Sequence, residues 1–368
     1  MFKLDAEQDN ARAGILKTAH GRLKTPFFMA VATKGAVKYA EPSELYSMGT
    51  QALISNAYLL WLNPGIKVIE KAGGLHKYMN WKKGSFTDSG GFQMIRESFF
   101  LSVRDQGVKF RSPFDGKSHI FTPEDSIEMQ NRLGSDVAMV LDDVPPWGSS
   151  KERIIQSVKN TTAWAKRCAD THSNSRQLMF AISQGGTYTD LRKKSTQQLA
   201  DLDFDGYGIG GLCFGEPIPL MNRMVRLSSK ILPREKPRYL MGVGSPAEIV
   251  EAVAMGVDIF DSVFPTRNAR HGCVFTHDGP ISIDKKRYLD DYTPIDLDCN
   301  CRICREYTKS YICHLLRSKE PTGMKLVTVH NLSFIQDLMR NIRLAITEEK
   351  FERFRKDFVK RYRGRSNA

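Results

Sequence analysis

The chain has 368 residues, 41% of them hydrophobic and 26% charged, a composition that builds a packed core and excludes a disordered or fibrous protein. No apolar run reaches the roughly 18 residues of a membrane span, and "MFKLDAEQDN" lacks the basic-then-apolar pattern of a signal peptide, so a cytoplasmic protein with no membrane contact is expected. Formal net charge is +13, from 54 Lys and Arg against 41 Asp and Glu, which suggests a polyanionic partner, because each phosphate neutralised releases counterions.

Eight short apolar runs recur in chain order: 27–32 (FFMAVA), 51–55 (QALIS), 84–88 (GSFTD), 136–142 (DVAMVLD), 178–183 (LMFAIS), 206–210 (GYGIG), 238–242 (RYLMG) and 257–261 (VDIFD). Their lengths and compositions suit buried parallel strands. Helix punctuation lies between them. Thr122-Pro123 with Asp125 opens a helix that Gly134 ends; Ser149 with Glu152 opens another; Ser245-Pro246 with Glu248 opens a third, closed by Gly256. Strand followed by helix, eight times, predicts an α/β fold: a (β/α)8 TIM barrel over residues 1–263.

Two insertions depart from a plain barrel. "SVRDQGVKFRSPFDGKSHIFTP" alternates polar and apolar residues around two turns, predicting a β-hairpin insertion near 99–121. A longer block, 264–330, holds the clustered cysteines, and 331–368 reads as a closing helix of the barrel with a basic tail.

The strand ends carry chemistry. The third run finishes at Asp88, the fourth at Asp142-Asp143, the fifth at Gln184, the sixth at Gly210-Gly211, the seventh at Met241-Gly242 and the eighth at Asp261. Barrel active sites lie at the carboxyl ends of the strands, so one pocket would gather three or four carboxylates, an amide and flexible backbone. That pattern points to an enzyme. Taken singly, each aspartate could instead cap the loop that follows it.

"CNCRIC" places Cys299, Cys301 and Cys304 within six positions. In a reducing compartment such a cluster reads as a metal site rather than as disulfides. Leu332, Ile335, Met339, Ile342 and Ile346 fall at helical spacing, which puts His330 at a helix start. Cys299, Cys301, Cys304 and His330 are therefore the expected ligands of one structural zinc ion, Cys313 being the alternative fourth ligand. Four protein ligands leave the metal no open position. Basic residues crowd the same region: Arg267, Arg270, Lys285, Lys286, Arg287, Arg302 and Arg305, with seven more from Arg353 to Arg365. Such clustering fits a phosphate backbone.

"FTDSGGFQ" (86–93), "AISQGG" (181–186), "GIGGL" (208–212), "YLMGVG" (239–244), "DSVFPTRNAR" (261–270) and the CxCxxC…H set resemble, in order and spacing, those of tRNA-guanine transglycosylases. The resemblance runs from about residue 10 to 360. It implies exchange of the wobble guanine, position 34, in tRNAs with GUN anticodons (the Asp, Asn, His and Tyr types) for a 7-deazaguanine base, as in queuosine modification. It also implies a homodimer, a heterodimer being the alternative.

Exchanging bases on one sugar without ATP requires breaking and remaking a glycosidic bond. Two displacements through a covalent sugar ester achieve this with retention. One carboxylate attacks, a second handles the proton of the departing base, and a third accepts the base's N1–H and amine. The resemblance implies Asp261 as nucleophile, Asp88 as general acid/base and Asp142 as the base-recognition carboxylate. Sequence alone does not separate Asp88 from Asp261. Gln184 and the backbone of Gly211 would face the base's carbonyl oxygen, and Phe92 and Met241 would sandwich the ring. Arg267 and Arg270 would grip RNA beside the extruded nucleotide.

The incoming base stays open. Val144 stands where bacterial relatives have cysteine and is similar to queuine-using eukaryotic subunits, whereas Phe214 narrows the room and favours preQ1. Other readings are a non-catalytic tRNA-binding subunit, which would have lost the aspartates, and an archaeal-like enzyme using preQ0, whose extra C-terminal domains are missing here. A metal-dependent barrel hydrolase lacks its HxH after the first strand.

Overall fold

A computed structural model describes residues 2–90, 100–111 and 116–364. Its first feature escaped the sequence reading. Strands β1 (Phe2–Gln8), β2 (Ala11–Thr18) and β3 (Gly21–Thr25) form an antiparallel sheet in the order β1-β2-β3. The signal was present: burial alternates along β1, and Asp9, with φ of 55°, makes the tight turn into β2.

The eight expected strands follow. They are β4 (Phe27–Val31), β5 (Ala52–Asn56), β6 (Gly84–Asp88), β10 (Val137–Met139), β11 (Leu178–Ser183), β12 (Gly206–Ile209), β13 (Arg238–Leu240) and β14 (Ile259–Ser262). They close a parallel barrel in which β14 pairs β4 and β6 pairs β10. Helices cover the outer face, so residues on both sides of each strand are buried, and the runs are continuously apolar rather than alternating. The interior is packed solid: Phe86 stands edge-on to Phe180 at 5.8 Å and to Tyr239 at 6.3 Å.

The N-terminal sheet lies at the floor of the barrel, where the strands begin. Asp258, just before β14, is buried against Arg12 of β2, whose guanidinium also donates to Arg234 O at 2.8 Å and Lys236 O at 2.9 Å. Asp136, just before β10, accepts from His20 N and Nδ1 at 2.9 Å and from Ser85 N at 2.9 Å, and holds His76 Nε2 at 3.2 Å. These fully hydrogen-bonded carboxylates tie the sheet down and leave the opposite rim free.

The helix Pro123–Leu133 begins with the expected capping box of Thr122 and Asp125 and ends at Gly134 in the left-handed region. For the helix Lys151–Thr171 the capping residue is Ser150, whose hydroxyl accepts from Arg153 N, rather than Ser149. The insertion after β6 contains β7 (Phe100–Arg104), β8 (Gly107–Arg111) and β9 (Ser118–Phe121), antiparallel throughout. Trp164 Nε1 donates to Asp105 O at 2.7 Å and so fastens its first turn to the barrel helices.

Beyond β14 come the helix Phe264–Arg270, the hairpin β15 (Cys273–Thr276) and β16 (Gly279–Ser282), and short helices Arg302–Glu306 and Lys309–Arg317. Their apolar residues, including Val274, Ile283, Ile303 and Ile312, form a second small core apart from that of the barrel. The helix Pro321–Thr347 belongs to both, because it packs on that core and on β4. His330 does not open this helix, as the periodicity suggested; it sits in the third turn. Residues 326–336 are buried without a break, so the helix has no exposed stripe there and its 3.6-residue period is hidden.

Candidate active site and metal centre

Asp88, Asp142, Gln184, Gly211, Met241 and Asp261 lie at the carboxyl rim, since each follows or ends its parallel strand. Asp261, half-buried on β14, accepts at Oδ1 from Tyr239 Oη at 2.6 Å and from Gly242 N at 3.0 Å. Burial pushes its carboxyl above the usual carboxylate range, and those two donors pull it back. Among the described residues, Oδ2 takes no hydrogen bond.

Asp88, half-buried at the end of β6, accepts from Gly90 N at 3.1 Å. Tyr239 relates the two. Burial raises its hydroxyl's pKa well above the ordinary value, and the negative charges of both Asp261 and Asp88 add to the rise. Of the two carboxylates, Asp261 is the one hydrogen-bonded to the phenol; the charge of Asp88 reaches it across the barrel. Tyr239 was missed from sequence, although it lies in the middle of β13, two residues before Met241.

The fourth strand end splits into two roles. Asp143 is fully buried and paired with Arg153, whose Nη1 donates at 2.8 Å; Asn160 Nδ2 adds a bond at 2.9 Å. It anchors the helix Lys151–Thr171 and is not a group of the rim. Arg153→Ala is expected to cost about 3 kcal/mol of stability in denaturant unfolding, because it leaves a buried carboxylate uncompensated.

Asp142 is buried and faces Gln184, whose Nε2 donates to its Oδ2 at 2.6 Å. Burial pushes the Asp142 carboxyl up to about 7; the Gln184 bond lowers it and the neighbouring Asp143 raises it. Gln184 Oε1 is buried and accepts no hydrogen bond among the described residues. Gly211, at φ of +67°, comes so close that an added Cβ would lie 2.2 Å from that oxygen, so only glycine fits. Beneath them Arg192 is fully buried, donating to Ser183 O at 2.9 Å and Gly186 O at 3.0 Å, and burial lowers its pKa to about 9.

Two further residues at this rim were not foreseen. Asn56, paired in register with Asp88, caps Leu59 N at 2.7 Å through Oδ1, and its buried Nδ2 has no partner. Glu216 accepts from Cys213 N at 2.5 Å and Phe214 N at 2.9 Å, fixing the loop after β12. Met241 is half-buried against the barrel core. Phe92 lies outside the described residues. Arg267 is exposed on the helix Phe264–Arg270, directly after Asp261; Arg270 is half-buried and donates to Thr266 O at 2.9 Å.

Cys299, Cys301, Cys304 and His330 converge, with their ligand atoms all within 4.8 Å of one another. His330 Nε2 lies 2.7 Å from Phe275 O and donates its proton there, which turns the lone pair of Nδ1 toward Cys301 Sγ and Cys304 Sγ, each at 3.4 Å. A tetrahedral zinc ion, with bonds of about 2.3 Å to sulfur and 2.0 Å to nitrogen, sets its ligand atoms roughly 3.5 to 3.8 Å apart. The donor set fits such an ion. Cys313 is not part of it: its Sγ faces Lys285 O at 3.4 Å.

Among the described residues, no helix is long and apolar enough to cross a membrane. A family model described as Queuine tRNA-ribosyltransferase matches residues 7–364. Curated relatives carry the same name. One from Thermoanaerobacter pseudethanolicus is 48% identical over 98% of this chain and 96% of its own length. Those from Fusobacterium nucleatum and Bacillus velezensis are each 45% identical, covering 99% and 98% of this chain and 98% and 95% of their own lengths. With the barrel, its carboxylate rim and the Cys3His cluster in place, the match over nearly the whole length shows that the chain belongs to the queuine tRNA-ribosyltransferase family.

Proposed function

We propose that this protein exchanges guanine 34 of GUN-anticodon tRNAs for a 7-deazaguanine, preQ1 or queuine, by two displacements through a covalent enzyme–RNA ester. The observation that carries the reading is the set of polar groups at one rim of the closed barrel: Asp88 ends β6, Asp261 on β14 is held by Tyr239, and Asp142 is held by Gln184 beside Gly211.

Each step follows from a group on the rim. Oδ2 of Asp261 attacks the anomeric carbon while Tyr239 and Gly242 N hold Oδ1. Asp88 donates a proton to the departing guanine and takes one from the incoming base. The Asp142 carboxylate accepts the base's N1–H and exocyclic amine. Gln184 orients that carboxylate, and by turning its amide it meets the base's carbonyl oxygen together with the N–H of Gly211 or its neighbours. Met241 and Phe92 enclose the ring, and Arg267 and Arg270 meet the RNA next to it. The zinc ion, held by Cys299, Cys301, Cys304 and His330, supplies structure to the small second core.

The deciding experiment is incorporation of labelled guanine into tRNA bearing guanine 34, with tRNA bearing another wobble base as control. Equal labelling of both, or of neither, would refute the reading. Displacement of that label by preQ1 and by queuine then identifies the incoming base.

Recognition by Asp142 carries a pH dependence. The ionised carboxylate accepts from the base; protonated Asp142 presents an O–H to the base's N1–H and loses that bond. With the carboxyl at about 7, kcat/KM for free guanine is expected to fall about tenfold per pH unit below that value. Asp142→Asn should flatten the profile and weaken binding; a wild-type profile flat from about pH 5.5 to 8 would remove Asp142 from this role. The sign for folding is separate. A carboxyl raised from 3.8 in the folded state contributes stability that is full below 3.8 and lost as pH rises through about 7.

A further inference from the structure

The helices Thr189–Ala200 and Ile218–Ile231 pack side by side on the outside of the barrel, after β11 and β12. In such units the helix runs back from rim to floor, so both begin at the rim that holds Gln184 and Gly211. Between them lies a groove of about 370 Å³ lined on one side by Arg223, Arg226 and Lys230, with Leu227 in its wall and Thr189 opposite. The three cations are exposed and fall at i, i+3 and i+7, one stripe about 10 Å long. Lys193 and Lys194, one turn beyond Thr189 on the neighbouring helix, are exposed as well.

None of these five cations forms an ion pair among the described residues. Asp190, next to Thr189, is paired with Lys151 at 2.9 Å, and Asp203 with Lys236 at 3.0 Å. The contrast with the C-terminal helix is direct. There the sequence is more basic, yet Arg355 is bound to Glu251 and Glu352, and Arg361 to Asp278 and Asp298. Net charge alone therefore does not mark the surface that attracts a polyanion; unpaired charge in a groove does.

The rim end of the groove is apolar and flat. Trp147, on the loop after β10, is 46% exposed and lies beside Gly215, where an added Cβ would sit 4.0 Å from its ring. Ile218, 44% exposed, opens the helix that carries the stripe. An exposed indole near the rim end of a helix that carries a row of cations is a combination that holds nucleic acid, by stacking and by phosphate contacts.

We propose that this groove is a second contact for the sugar–phosphate backbone of the RNA substrate, separate from the pocket that takes the exchanged base. The proposal rests on the base-exchange reading for the identity of the RNA. Its chemistry is that of a polyanionic chain: three cations over about 10 Å span two to three successive phosphates, and no carboxylate lines the groove to select a basic ligand.

The test is fluorescence anisotropy of labelled guanine-34 tRNA on the whole chain, with Arg223→Glu/Arg226→Glu, the milder Arg226→Gln, and Trp147→Ala. The double variant is expected to bind tRNA about tenfold or more weakly, with a salt slope shallower by about 2. Its KM for tRNA should rise while kcat and the KM for free guanine stay unchanged. Arg226→Gln should lie between, and all three variants should melt like the wild type, because the side chains are exposed. Unchanged tRNA affinity and salt slope in the double variant would overturn the proposal and leave the groove to solvent or to an acidic protein. Should the wild type exchange no guanine, the base-exchange reading fails, and the anisotropy still decides whether this groove holds RNA.

Discussion

Asp261→Asn is expected to lower guanine exchange on the order of 10⁴-fold or more and to abolish the protein–RNA adduct trapped on a denaturing gel. The size follows from what the substitution leaves alone. The amide is the same shape, its oxygen still accepts from Tyr239 Oη and Gly242 N, and the barrel wall is unchanged. What disappears is the anionic Oδ2, the only atom of that side chain able to form the sugar ester. Asp88→Asn is the informative companion. It removes proton transfer, worth about 10²- to 10⁴-fold, but keeps the nucleophile, so an adduct still forms slowly. An Asp261→Asn protein that yields the adduct, or an Asp88→Asn protein that behaves identically to it, would reverse the assignment of the two carboxylates.

Cys301→Ser is expected to strip most of the metal and to lower the melting temperature by about 5 °C or more, a loss of several kcal/mol. The cluster is central to the second core: the cysteines are buried among Ile303, Ile312 and Val329, and His330 is fixed by Phe275. Four liganding groups facing one another without a cation leave buried sulfur and nitrogen poorly satisfied. The change should show as one mole of zinc per chain in the wild type, by atomic absorption, against a small fraction in the variant. Full zinc content with an unaltered melting curve would exclude Cys301 as a ligand. Because the helix Pro321–Thr347 also packs on β4, metal loss is expected to weaken the barrel as well as the second core.

Much of the site was legible before any coordinates. Buried parallel strands must be apolar along their length and must stop at a polar residue where the loop meets solvent, so Asp88, Gln184, Gly211 and Asp261 stood out as the last residues of apolar runs. The metal ligands were legible because few arrangements place three thiols within six positions in a chain with reduced cysteines. The N-terminal sheet was overlooked although its alternation was visible, because attention to continuous runs passes over a half-exposed β1. The start of the helix carrying His330 was misplaced because a helix buried on all sides loses its period.

By itself the sequence determined the barrel, its polar strand ends and the cluster of three cysteines, since each is encoded locally by hydrophobic runs, punctuation and short spacing; the structure chose His330 over Cys313 beside that cluster. Only the tertiary structure decided which neighbours share work. Asp142 and Asp143 are adjacent in the chain, yet one turns to Gln184 at the rim and the other to Arg153 on the outside. Tyr239 of β13 donates to Asp261 of β14, and the charge of Asp88, 151 positions earlier in the chain, reaches the same phenol. Arg355 and Arg361 of the C-terminal helix are paired with Glu251, Asp278 and Asp298 from distant parts of the chain, whereas Arg223, Arg226 and Lys230 form no ion pair among the described residues. Those outcomes depend on contacts across the fold, where burial sets the energy of a charge and the partner that folding brings beside it sets whether that charge remains available.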